Sequence, residues 1–166
     1  YYLESNHVQA DVWNILDSCA FFSQIHPDGK IATVSNIENE MINRQSKQYF
    51  SNLKHKGLEI IDPSPKSEIY VRKKAQETGD LDVLSEIDIK ILSLGYELKG
   101  TIISDDFAIQ NVSLYMKLNA ISCNGKEIKE LRKWKFKCSA CNLVSNNKEK
   151  SCNVCGSEDI FRVKAK

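Results

Sequence analysis

The sequence contains no apolar run long enough to cross a membrane as a helix. Nothing at its start has the basic, apolar and small-residue order of a secretory signal. A soluble, cytoplasmic protein is therefore expected, with no membrane partner. Net charge is nearly absent, at +1, and histidine is scarce, at three residues. His7, His26 and His55 are not placed to activate a nucleophile such as Cys19, so Cys19 reads as a small core residue. No internal repeat or low-complexity segment occurs. What is present in quantity is apolar side chain, 42% of residues. That is enough to bury a core and excludes a disordered chain.

The small net charge conceals a split. Residues 1–125 carry −5 and residues 126–166 carry +6. An acidic body with a basic end suits a protein that grips a polyanion, although a solvated lysine surface gives the same count. The composition changes near Asn124-Gly125. The domain reading is residues 12–124, then a basic linker and cysteine module over 125–166. Residues 1–11 show no period; they are left out of the fold reading as a segment that could partly be an expression remnant.

Short β-rich runs alternate with helical patterns. Strands are expected at 12–16, 31–34, 58–61, 101–103 and 120–122. Between them, helices are expected from Ser18, from a Ser35 cap, around Tyr49, Phe50 and Leu53, over 67–77, from Ser85 to Leu98, and through Ile109, Val112 and Met116. Ser85 with Asp88 forms a capping signature. Gly95 weakens the last turns of that helix, and Gly100 ends it. The alternation predicts an α/β fold: a mostly parallel sheet with helices on both faces.

Two constellations carry chemistry. The first is acidic: Asp17, Glu40, Asp88, Asp105 and Asp106. Asp17 and Ser104-Asp105-Asp106 follow predicted strands, and ligands of open α/β sheets bind outside the carboxyl ends of strands. Asp88 and Glu40 fall in early helical turns that can face the same crevice. Converging carboxylates repel and call for a cation; an oxygen set without histidine suits Mg²⁺ or Mn²⁺. Each acid has a structural alternative. Asp88 can be the partner of the Ser85 cap, Asp17 and Asp106 can be caps, and Glu40 can be a solvated helix residue. The second constellation is Cys138-x₂-Cys141-x₁₀-Cys152-x₂-Cys155. Two CxxC knuckles at this spacing can supply four thiolates to a structural Zn²⁺, with no position left open for catalysis. Lys133, Trp134, Lys135 and Lys137 precede it. Basic and aromatic residues interleaved in this way fit single-stranded nucleic acid, or else an amphipathic strand with Trp134 and Phe136 turned inward. Arg72-Lys73-Lys74 reads as a solvated helix face.

Taken together, Asp17-Ser18-Cys19-Ala20-Phe21, Glu40, Thr78-Gly79-Asp80, Leu84-Ser85 with Asp88, Ser104-Asp105-Asp106-Phe107 and Gln110-Asn111, followed by a four-cysteine ribbon, resemble the Nob-type ribosome-assembly endonucleases. These are PIN-domain nucleases with an attached zinc ribbon, and the short chain is similar to their archaeal form. The resemblance covers residues 12–157. It implies a divalent-metal endoribonuclease that matures the 3′ end of small-subunit ribosomal RNA within a pre-ribosomal particle. By motif position Asp17, Glu40, Asp88 and Asp106 are the PIN acids. Asp105 stands where many relatives have Asn, and its role is open. Ser18 and Ser104 lie beside the acids, Ser104 where a Thr or Ser orients a carboxylate. Cys19 departs from the pattern, replacing the usual Ser with a weaker donor.

The expected chemistry is hydrolysis of a phosphodiester at one or two Mg²⁺ or Mn²⁺ ions held by Asp17, Asp88 and Asp106, with Glu40 completing the site. Two other readings keep the fold: an RNA-binding assembly factor without catalysis, and a toxin-type PIN ribonuclease. The ribbon weighs against the toxin.

Overall fold

The computed structural model describes residues 12–125 and 127–165, so the N-terminal segment set aside above lies outside the described residues. Five parallel strands form the main sheet: β1 (Trp13–Leu16), β2 (Lys30–Thr33), β3 (Glu59–Ile60), β4 (Thr101–Ile103) and β5 (Ala120–Ile121), in the order β3-β2-β1-β4-β5. The strands fall on the expected β-rich runs: β4 matches, β2 starts and ends one residue earlier, and β1, β3 and β5 are one or two residues shorter. Asn14, Ile15 and Leu16 are consecutive and all buried. Since neighbours on a strand point to opposite faces, both faces of β1 are covered.

The chain builds outward from β1 to β2 and β3, then crosses back over β1 to form β4 and β5. Strand order thus reverses between β1 and β4, and the connections leaving their carboxyl ends diverge. This opens the crevice in which α/β sheets place ligands.

Helices connect the strands: α1 (Ser18–Phe22), α2 (Arg44–His55), α3 (Pro65–Thr78), α4 (Glu86–Leu98) and α5 (Phe107–Tyr115). Their starts are chemically marked. Asn43 accepts the Ser46 N–H, and Ser64 accepts the Ser67 N–H ahead of a proline in the first turn. Ser85 and Asp88 form the full reciprocal capping box.

Three local expectations are corrected. Ser35 does not cap an α-helix. Its N–H and hydroxyl both bond Asp62, and residues Ser35–Glu40 form a 3₁₀ turn instead. Gly95 does not loosen α4, which runs on to Leu98. A Cβ there would lie 2.7 Å from the Ile102 side chain, so the glycine lets the helix press onto β4. The residue that turns left-handed to end α4 is Lys99, with φ 51°. Gly100 serves close approach, since a Cβ would meet the Trp13 carbonyl oxygen at 2.7 Å.

A second, antiparallel sheet follows: β6 (Trp134–Cys138), β7 (Val144–Ser145) and β8 (Ile160–Lys164), in the order β7-β6-β8. The Thr78-Gly79-Asp80 and Gln110-Asn111 motifs are spent where it meets the first. Asp80 is buried. It accepts from Thr78 at 2.8 Å and Asn111 at 2.7 Å, and pairs with Arg162 of β8 at 3.0 Å. The Asn111 amide bonds both backbone groups of Arg132. Gln110 bonds the Ser104 carbonyl and the Ile128 N–H. Gly79 has φ 86°, and a Cβ on it would sit 2.6 Å from Trp134. Trp134 is half-buried there, with the Arg162 guanidinium 4.2 Å over its ring.

Candidate active site

Asp17 leaves β1 at the reversal point, and its N–H donates to the Ile103 carbonyl of β4. Its side chain caps α1: Oδ1 accepts the Ser18 N–H at 2.8 Å, and Oδ2 accepts the fully buried Ser104 hydroxyl at 2.7 Å. Ser104 Oγ in turn accepts the Asp106 N–H. Asp106 caps α5, accepting from the Ala108 and Ile109 N–H groups. Asp88 enters from the first turn of α4 and Glu40 from the end of the 3₁₀ turn. The structural alternatives and the cluster therefore coexist: Asp17 and Asp106 are caps, Asp88 completes the Ser85 capping box, and all four acids share one field.

That field appears in the acidities. Burial pushes Asp17 up to about 7, and the charges of Asp88 and Glu40 add to it against the bonds from Ser104 and Ser18. Glu40 is raised by burial and by Asp88 and Asp106, while a hydrogen bond from the Ser18 side chain opposes this. Asp88 is raised by burial and by Asp106, opposed by the Ser85 cap. Among the described residues no three ligand atoms of these acids lie within 4.8 Å of one another. Such spacing leaves room for water or phosphate oxygens, as Mg²⁺ sites with few carboxylates do. An all-oxygen, mutually repelling donor set fits a hard divalent cation.

Asp105 is turned elsewhere. Its carboxylate accepts the Cys123 N–H at 2.7 Å and lies within 4.8 Å of both the Cys19 and Cys123 sulfurs, which are themselves 3.0 Å apart. Burial, the paired thiol and Asp105 all raise the Cys19 thiol. Cys19 is thus half-buried against a second cysteine 104 positions away, which sequence spacing could not indicate.

Cys138, Cys141, Cys152 and Cys155 bring their sulfurs within 4.8 Å of one another, with pairs 3.5 Å apart. A tetrahedron with Zn–S of about 2.3 Å has edges of about 3.8 Å, so the set is compatible with zinc. The N–H groups of Cys155 and Val154 pull the Cys152 thiol down to about 6, and that of Cys141 lowers Cys138.

Of the basic stretch, Lys133, Trp134 and Lys135 line a groove of about 590 Å³ against α3 and α5, together with Lys73 and Tyr115. Lys137 is not among its walls. In the Arg72-Lys73-Lys74 run, Arg72 pairs with Glu86 and Lys74 with Glu77, while Lys73 faces the groove.

Residues 15–98 match the family model for the PIN domain of ribonuclease. The chain is 31% identical over 154 residues to Endoribonuclease Nob1 of Archaeoglobus fulgidus, covering 90% of each chain. It is 34% identical over 101 residues to Ribonuclease VapC1 of Thermoplasma acidophilum, covering 61% of this chain and 52% of that one. It is also 29% identical over 138 residues to the 20S-pre-rRNA D-site endonuclease NOB1 of Saccharomyces cerevisiae, 78% of this chain and 30% of the yeast protein. With a parallel PIN sheet, an acid crevice at its switch point and a four-cysteine ribbon, the chain belongs to the Nob1 family of PIN-domain endoribonucleases.

Proposed function

We propose that this protein is a divalent-metal-dependent endoribonuclease that matures the 3′ end of small-subunit ribosomal RNA inside a cytoplasmic pre-ribosomal particle. The carrying observation is the buried Asp17 carboxyl at the meeting of β1 and β4, bonded by Ser104 and facing the charges of Asp88 and Glu40, an arrangement that a cation would relieve. Asp17, Asp88 and Asp106 would hold Mg²⁺ or Mn²⁺, with Glu40 completing the set. When bound, the cation supplies positive charge against the phosphate and makes water more acidic. The residues do the rest. The Ser104 hydroxyl keeps Asp17 Oδ2 oriented and favours its ionised form, and Ser18 does the same for Glu40. Water adds to the scissile phosphorus in line, the P–O3′ bond breaks, and the 3′ oxygen leaves as a hydroxyl. Zn²⁺ on Cys138, Cys141, Cys152 and Cys155 is structural in this reading. Asp105 serves the backbone of Cys123 and stands outside the reaction.

A model precursor spanning the small-subunit RNA 3′ end, incubated with Mg²⁺ or Mn²⁺, is the test. Cleavage by the parent and none by Asp17→Asn, with RNA binding kept, is expected. Full cleavage by that variant would sink the assignment. The VapC1 match favours one competitor, a free-standing ribonuclease. For that reading, deleting residues 126–166 leaves cleavage of the precursor unchanged, whereas the proposed function loses it.

A further inference from the structure

We infer that the groove between α3, the end of α5 and β6 is a binding site for single-stranded RNA, seating the strand that flanks the scissile phosphate. The ligand class rests on the ribonuclease reading above; the site itself rests on the following geometry. Three lysines, Lys73, Lys133 and Lys135, and two aromatic residues, Tyr115 and Trp134, line a space of about 590 Å³. Glu77 also faces it, but the Lys74 ammonium lies 3.3 Å from its carboxylate. The two aromatics differ in role. Trp134 has its ring under Arg162 and packs on Gly79, so it anchors the ribbon. Tyr115 has the Lys133 and Lys74 ammonium groups 5.2 and 5.6 Å from its ring, which combines a stacking face with cations. The Gln76 and Asn147 amides bond each other across the groove, each with polar atoms left for base edges.

Helix α5 spans the distance from the groove to the acids, with Tyr115 at its last turn and Asp106 capping its start. A smaller pocket lined by Phe107, Arg132, Trp134 and Arg162 lies at the start of α5. Phe107 is 55% exposed and directly follows Asp106. Tyr115 ends the same helix, about 12 Å along its axis. A strand stacked on Tyr115 therefore reaches the acid crevice within a few nucleotides. A duplex keeps its bases stacked and cannot offer one to Tyr115.

The test measures fluorescence anisotropy of a labelled single-stranded oligoribonucleotide on non-cleaving Asp17→Asn protein across a salt series. Lys73→Glu, Lys133→Glu and Lys135→Glu together should weaken binding roughly tenfold or more and flatten the salt slope by about 2, at about 0.7 per phosphate contact. Tyr115→Ala should weaken it about tenfold with little change in slope, and Tyr115→Phe should restore affinity. Lys47→Glu, Lys56→Glu and Lys66→Glu, exposed and outside the groove, give a charge-matched control expected to lose much less. Unchanged zinc content and circular dichroism establish that the variants fold. Groove variants that bind like the parent, or a control triple that loses as much, would overturn the inference. Cleavage of the same RNA by the wild-type chain in Mg²⁺ reports on the acids separately. Cleavage with normal binding by groove variants removes the groove alone, and no cleavage with weakened binding removes the nuclease reading alone.

Discussion

Burial holds the Asp17 carboxyl at about 7, against 3.8 for an unburied aspartate. Between those values the native state keeps a proton that the unfolded chain has released. Stability of the metal-free protein therefore falls as pH rises from about 4 to about 7 and is lowest above that, by on the order of 4 kcal/mol at most. The melting temperature of metal-free protein should drop between about pH 4 and about pH 7, and Asp17→Asn should flatten the drop. Mg²⁺ should raise it most at the alkaline end, where Asp17 is ionised. Ser104→Ala removes the bond that favours the carboxylate, so the acid limb of the cleavage profile should move upward by roughly one pH unit. A profile that stays in place would mean that Ser104 does not tune Asp17. These roles were partly legible: the acids and Ser104 stand out by position after predicted strands. The separation of Asp105 from Asp106 was not, because adjacent side chains leaving a strand end diverge by local backbone angles that residue type does not specify.

Elements fit by their small residues as much as by their apolar faces. The capping box marks the start of α4 in the sequence, but intrinsic propensity makes Gly95 a weakness there, since it carries no information about a strand lying against that turn. Gly95→Ala should destabilise the domain by about 1–3 kcal/mol in urea denaturation, because Ile102 is fully buried and has little room to yield. Gly79 couples the two sheets. Gly79→Ala adds both a left-handed strain and a clash with Trp134, so the ribbon should detach and the segment before β6 should be cut faster by protease, with the melting of the main sheet changed much less. Equal protection of the segment in variant and parent would argue that the junction tolerates the methyl.

The whole molecule joins an acidic sheet domain to a basic module; under the proposed function the first repels RNA and the second attracts it. With zinc on its four cysteines, as proposed above, a module this small would depend on that metal for order. Stripping zinc with a thiophilic chelator in excess Mg²⁺ should melt the ribbon and weaken RNA binding about tenfold or more. Cleavage of a short single-stranded RNA at saturating concentration should persist. Loss of both together would mean that the main sheet itself relies on the ribbon.

The sequence alone determined the alternation of strands and helices, most helix starts, the metal-type cysteine spacing and the acids at strand ends. All of these are set by residue type within a few neighbours, through periodicity, capping and ligand chemistry. Tertiary structure alone decided the order of the sheet, and hence the crevice between β1 and β4 where Asp17 meets Ser104, 87 positions away. It also decided the use of Thr78-Gly79-Asp80 and Asn111 as a clamp on Arg162 and Arg132, and the groove that Lys73 and Tyr115 share with β6. Those contacts join segments far apart in the chain. What selects them is the packing of whole helices and sheets, which no local pattern encodes.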